Sequence, residues 1–352
     1  MNANSSKIQW LDTLRTFATV GVIIIHISSP LVNMTYGKNM PYWWIGNVVD
    51  SAVRFAVPVF LMLSGATLLG KDYNLSEFYK KRVLRVLIPF LFWILVYLIF
   101  LWTMLKTSQQ PHNFHDVWQW ACDLFMKEGV SKHFWYIYMI LFIYLFVPFL
   151  GKGLRKLSNN LILFILIGWV ILCFALRSIT LSYYQWTDQY SYKFLGYFIY
   201  TGYLVLGFYL SKFPVSSVKI RISSAIVFIL TIFIASVSTY FFSKNSHRLD
   251  LSIYGYLTLN TIIQSIAIFL LIRDFSFKNK LILQIQNTIS DYSYGIYLVH
   301  IIVIGVFFRN GIYWSFSNPL ISLPLLTIMV LGCSFGIIYV LRKIPLGKYV
   351  AG

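Results

Sequence analysis

Charge is scarce in this chain. Of 352 residues only 11% are Asp, Glu, Lys or Arg, against about 25% in soluble domains, so a water-exposed globule is excluded. Three cysteines, Cys122, Cys173 and Cys333, cannot make the framework of a small secreted domain. Acidic residues number eleven, at Asp12, Asp50, Asp72, Glu77, Asp116, Asp123, Glu128, Asp188, Asp250, Asp274 and Asp291, and none forms an Asp-x-Asp pair. That counts against a glycosyl or prenyl transferase that gathers Mg²⁺ with clustered carboxylates, and against a proton pump built on buried acids. There is no Gly-x4-Gly-Lys-Ser/Thr loop, no His-Glu-x-x-His and no Gly-x-Ser-x-Gly elbow. No linker-like stretch divides the chain, and no internal repeat stands out.

What is present is apolar. Hydrophobic residues make up 58% of the sequence, aromatics 19%, and mean hydropathy is +0.70. Apolar runs fall at roughly 13–33, 47–70, 84–105, 133–150, 160–178, 194–211, 222–242, 251–272, 289–309 and 321–342, each close to the ~20 residues a helix needs to cross the hydrocarbon. Alternating ten-residue barrel strands are missing, and helices satisfy their own backbone groups in lipid. The expectation is an all-α integral membrane protein of about ten transmembrane helices, one domain over 1–352 with no soluble extracellular domain. A mixed helical spacing of Val117, Trp118, Trp120, Ala121, Leu124 and Phe125 in the 106–132 loop predicts a short interfacial or re-entrant helix.

The net charge is +18. These basic residues sit between apolar runs and form no soluble basic face, so membrane topology explains them and nucleic acid does not. With the N-terminus inside, one side collects 18 Lys and Arg and the other nine; Arg15 and Arg54 fall within spans. The bias places both termini in the cytoplasm. A cell (plasma or inner) membrane follows as the expected location. The first run is too long for a cleaved signal peptide and carries Arg15 and His26.

An ionisable group inside a span costs about 2.5–3.5 kcal/mol or more, so each needs a partner, a cavity or a task. Arg15 and His26 are eleven residues apart, three turns plus about 20°, so they share one helix face about 16 Å apart. Asp50 and Arg54 form an i,i+4 pair, either structural or functional. His133 opens the fourth run and His300 lies within the ninth, each either a satisfied interior histidine or part of one polar cavity with His26 and Arg54. Arg15 alone is also compatible with snorkelling to the headgroups. Before the third run, Arg82 and Arg85 share a face and make either a positive anchor or a fork for a phosphate. A neutral imidazole is a natural general base for a hydroxyl. A basic fork facing the cytoplasm suits a phosphorylated donor, which sketches transfer from an inner donor to an outer hydroxyl.

At these residues the sequence resembles the acyltransferase 3 family of integral membrane O-acyltransferases, over essentially the whole chain. The resemblance is carried by Leu11-Asp12-Thr13-Leu14-Arg15 through His26, by Val57-Pro58-Val59-Phe60-Leu61-Met62-Leu63-Ser64-Gly65, and by Arg82-x-x-Arg85. His133-Phe134-Trp135-Tyr136 and Ser293-Tyr294-Gly295-Ile296-Tyr297-Leu298-Val299-His300 complete it. It implies an enzyme that moves an acyl group, acetyl first of all, from acyl-coenzyme A on the cytoplasmic side to a hydroxyl of a cell-surface glycan or lipid-linked sugar. It implies His26 as the catalytic histidine with Arg15 as its signature partner, and Arg82 and Arg85 on the donor's phosphates. Asp50, Arg54, His133, Trp135, Tyr136, Tyr294 and His300 take supporting or acceptor-side roles, with Arg54, Tyr294 and His300 as alternative oxyanion donors. Acyl-coenzyme A (acetyl-CoA) is then a co-substrate, with no permanently bound cofactor and no metal. The lipid bilayer is a partner, and a homo-oligomer stays open. The competing reading is a glycan flippase or exporter without acyl transfer, which predicts repeats or paired broken helices. Tyr42, Trp43, Trp44, Trp118, Trp120, Tyr183, Tyr184 and Trp186 are either a sugar platform or an interfacial aromatic belt.

Overall fold

A computed structural model describes residues 9–104, 114–183 and 196–352. Expectations that fall on 105–113 and 184–195, Tyr184 and Trp186 among them, lie outside the described residues. Every regular element described is helical: α1 (Gln9–Thr35), α2 (Met40–Ala52), α3 (Ala56–Leu68), α4 (Leu75–Met104), α5 (Phe114–Glu128), α6 (Trp135–Leu154), α7 (Asn159–Tyr183), α8 (Thr201–Ser211), α9 (Val218–Asn245), α10 (Leu259–Ile272), α11 (Lys280–Arg309) and α12 (Pro319–Lys343).

Eight helical stretches among the described residues are long and apolar enough to cross a membrane: α1, α2 with α3, α4, α6, α7, α9, α11 and α12. Their outward faces are apolar, with Phe164 72% and Phe233 64% exposed. Such faces are stable against lipid, where exposing them costs nothing, and the protein is a multi-pass membrane protein. The runs expected as spans at 194–211 and 251–272 contain helices of only 11 and 14 residues. In the second case the reason is local. Residues Ser252–Tyr254 form a 3₁₀ turn, and the Thr258 side chain caps the following helix by accepting from the Thr261 amide, so α10 starts at Leu259. The helix expected within 106–132 is present as α5.

The second expected span, 47–70, is corrected. It begins at Met40 and breaks at Val53–Phe55 into α2 and α3. Pro58 explains the break: it has no N–H for the Arg54 carbonyl four residues earlier, and its ring crowds that carbonyl. The third span also departs from a plain α-helix, because Tyr79–Val83 form a π-helical turn that carries Lys80, Lys81 and Arg82.

Helix α1 is flanked by α2, α3, α10, α11 and α12. Helices α3 and α8 meet backbone to backbone: a Cβ at Gly65 would fall on the Leu204 carbonyl, and one at Gly207 on the Met62 carbonyl. Small residues permit this approach in a membrane, where packing rather than water drives association. Two apolar clusters result, one centred on α3, α6, α8 and α10 and the other on α1, α4, α11 and α12. Phe60, Val86, Trp135 and Tyr136 touch both. The polar groups gather at this seam.

Candidate active site

A cavity of about 350 Å³ opens at the end of the bundle where α1 begins. Arg15, Arg82 and Arg85 line it together with Ser64, Thr67, Tyr144, Ser290, Asp291 and Tyr294. Arg82 and Arg85 are exposed, and neither forms an ion pair among the described residues. Two unpaired guanidiniums on one mouth have the charge and the donor geometry that a multiply charged anion requires. Arg15 is held differently. Its Nη1 donates to Asp12 Oδ1 at 3.2 Å and to Ser290 Oγ at 3.0 Å, while Ser290 Oγ donates to the same carboxylate oxygen at 2.6 Å. This triangle ties α1 to α11 and fixes one edge of the guanidinium, which excludes free snorkelling. Sequence reasoning missed Ser290; Asp12, three residues ahead of Arg15 on the same face, was the visible signal.

Phe60, Tyr136 and Tyr297 also line the cavity and form its aromatic floor. The ring centroids of Tyr136 lie 6.2 Å from Phe60 and 5.7 Å from Tyr297. Behind this aromatic floor stand three histidines. His26 lies 5.2 Å from His300 and 6.2 Å from His133, and His133 lies 5.3 Å from His300, centroid to centroid. Helix α1, the 3₁₀ turn Lys132–Phe134 and α11 thus bring to one point residues more than a hundred positions apart.

The hydrogen bonds distinguish the three rings. The Tyr97 hydroxyl donates to the Leu298 carbonyl at 3.0 Å, so its oxygen accepts from His133 Nε2 at 3.4 Å, leaving Nδ1 to accept from Ser131 Oγ at 2.8 Å. Both nitrogens of His133 are occupied, and the Tyr297 hydroxyl donates to the His133 carbonyl. His300 places Nδ1 against the Tyr297 carbonyl at 2.6 Å. A carbonyl only accepts, so Nδ1 carries the proton and, in the neutral ring, Nε2 is a bare lone pair with no partner. His26 makes no hydrogen bond to any described residue and, unlike fully buried His133 and His300, keeps partial exposure. Of the three, His26 is the ring free to act on a substrate. No group of His, Cys or carboxylates among the described residues is arranged to hold a metal ion.

Arg54 sits in the break between α2 and α3. It is paired with Asp50, which is buried, and its guanidinium stacks 4.1 Å above the Tyr254 ring. Tyr254 also donates to Asn47, whose side-chain amide reaches the Ser236 carbonyl at 2.9 Å. Burial pushes the Tyr254 and Tyr256 hydroxyls up from the ordinary phenol range, so both remain protonated donors. Trp135 stacks on Tyr256 at 5.6 Å with the rings 23° apart. Trp43, one of the aromatics read as platform or belt, is fully buried against Trp44 and Tyr240.

The residues singled out from the sequence therefore separate into two groups. Arg15, Arg82, Arg85, Tyr136 and Tyr294 line the open cavity, whereas His26, His133, His300, Asp50 and Arg54 lie beyond its floor, with Trp135 to one side. Tyr294, expected in a supporting or acceptor-side role, is on the same cavity as Arg82 and Arg85, and its hydroxyl is committed to the Val86 carbonyl at 2.7 Å. Residues 8–339 match the family model described as Acyltransferase domain, which is nearly the whole chain. The chain belongs to the acyltransferase 3 family. It is therefore a membrane acyltransferase. No curated protein and no solved structure matches it.

Three prolines punctuate this acyltransferase at its charged positions. Pro30 follows His26 by four residues, Pro58 follows Arg54 by four, and Pro89 follows Arg85 by four. A proline has no N–H for the carbonyl four residues back, so each of these residues loses the usual helical donor to its carbonyl; at Arg54 the helix breaks, whereas it runs on through Pro30 and Pro89.

Proposed function

We propose that the protein transfers an acyl group, acetyl in the first instance, from acyl-coenzyme A to a hydroxyl of a cell-surface glycan or lipid-linked sugar. The single observation that carries this reading is the arginine-lined cavity whose floor residue Tyr297 packs on His133 and His300, the two rings beside His26, which of the three is the one with no hydrogen bond to a described residue. The donor's phosphates sit at Arg82 and Arg85 on the cytoplasmic side, and its thioester arm runs past Arg15 toward the floor. His26 takes the proton of the acceptor hydroxyl as the oxygen bonds to the thioester carbonyl carbon. The tetrahedral intermediate then expels the thiolate, which takes that proton back from His26. A preorganised cation is the strongest stabiliser of the developing oxyanion. Among the alternatives Arg54, Tyr294 and His300, the committed Tyr294 hydroxyl and the lone pair on His300 Nε2 favour Arg54. The site lies in a cell membrane with the cavity mouth facing the cytoplasm, the side that the excess of basic loop residues marks.

Purified protein in detergent, supplied with labelled acetyl-, propionyl- and succinyl-coenzyme A and an isolated surface glycan, tests the proposal. Label should pass to the glycan with release of free coenzyme A. Movement of glycan across a vesicle membrane with no label gained would replace this reading with that of a flippase or exporter.

A further inference from the structure

A second, smaller recess lies behind the cavity floor, lined by Thr19, Val22, Ile23, Phe60, Ile296, Tyr297 and His300. It is nearly all apolar and has no room for a water molecule. Phe60 and Tyr297 are the residues it shares with the open cavity, so these two rings form the partition between the arginine-lined chamber and the histidines. The two are not held alike. Tyr297 is buried, and its hydroxyl is tied to the His133 carbonyl, so moving it breaks a buried hydrogen bond. Phe60 is only half-buried, has no polar atom to anchor it, and packs at the seam of both apolar clusters. Phe60 is the leaf of the partition that no hydrogen bond holds.

Resting on the acyl-transfer reading, we propose that Phe60 sets the length of the acyl group the enzyme accepts. An acyl-thioester arm coming from the cavity must pass Phe60 to bring its carbonyl carbon to His26, and the acyl tail then points into the recess beside His300. With Phe60 displaced, the recess gains space for a short tail. Val22, Ile23 and Ile296 close its far wall, all of them less than a tenth exposed and tightly packed, and close-packed walls resist each added methylene. Discrimination in apolar pockets runs at about 10–200-fold per methylene, which is the scale on which acetyl is favoured over longer groups.

The experiment measures transfer from acetyl- and butyryl-coenzyme A in competition, for the unaltered protein, Phe60→Ala and Val22→Ala, each first checked for a monodisperse, folded state in detergent. Val22→Ala enlarges the recess from the opposite wall and leaves the partition in place. The expected result is a rise of at least tenfold in the butyryl-to-acetyl ratio for Phe60→Ala, and a smaller rise in the same direction for Val22→Ala. If Phe60→Ala does not fold, Phe60→Leu, a milder truncation that removes the ring but keeps an apolar side chain, is read in its place, with a smaller rise in the same direction expected. An unchanged ratio in both variants, with acetyl transfer retained, overturns the partition while leaving the acyl-transfer reading intact. Absence of any acyl transfer by the unaltered protein overturns that reading itself.

Discussion

Replacing His26 with alanine separates chemistry from folding more cleanly than any other change to this site. The ring makes no hydrogen bond to a described residue and is already partly exposed, so its removal strands no buried partner. The expected stability cost is under about 1 kcal/mol, within the range of substitutions that disturb no buried feature. General base catalysis contributes about 10²–10⁴-fold, equivalent to about 2.7–5.4 kcal/mol of barrier at 1.36 kcal/mol per tenfold. His133→Ala supplies the contrast. It leaves Ser131 and Tyr97 without their partner, at about 1 kcal/mol for each bond lost, and opens a void in a fully buried layer. Transfer rates and thermal midpoints of the two variants should therefore diverge in opposite ways. His26→Ala should lose at least a hundredfold in turnover with an almost unchanged midpoint, and His133→Ala should show a clearly lowered midpoint. Turnover of His26→Ala within tenfold of the unaltered protein would refute the assignment of the base.

Other consequences follow from the same geometry. Arg82→Ala and Arg85→Ala each remove a charge-assisted donor worth about 1.5–3 kcal/mol, so calorimetric affinity for coenzyme A should fall tenfold or more for each, with turnover at saturation little changed. Asp50→Asn leaves the buried Arg54 charge without its counter-ion, a loss of about 3–5 kcal/mol. A strongly lowered thermal midpoint checks this, and combining it with Arg54→Met should recover much of the loss. Gly207→Ala sets a methyl group against the Met62 carbonyl and should destabilise the α3–α8 crossing by about 1–3 kcal/mol, seen as a lowered midpoint in detergent.

Much of this arrangement was legible in the sequence because lipid makes polar residues conspicuous. The eleven-residue spacing of Arg15 and His26 put both on one helix face, and the structure places them on the inner side of α1 facing α11. That His26, His133 and His300 converge was only a matter of matching depths in the sequence, since helix neighbours are set by tertiary packing and small-residue contacts such as Gly65 and Gly207. The interruption at Val53–Phe55 was readable in principle: Pro58 stands four residues beyond Arg54, but a run this apolar reads as one span by hydropathy. The aromatic floor was not readable. Tyr136 carried a supporting role from the resemblance, but Phe60 and Tyr297 are ordinary membrane residues by composition, and only the meeting of the three rings across three helices makes them a floor. Which ring nitrogens are occupied is likewise a property of side-chain geometry that no spacing encodes.

The three prolines placed four residues after His26, Arg54 and Arg85 have an effect on the main chain itself. Each leaves a backbone oxygen without its usual donor, and within hydrocarbon such an oxygen must find another hydrogen-bond source. Polarity beside these three side chains is thus written partly into the backbone, and replacing those imino acids would return an amide donor to each carbonyl without touching a single reactive group.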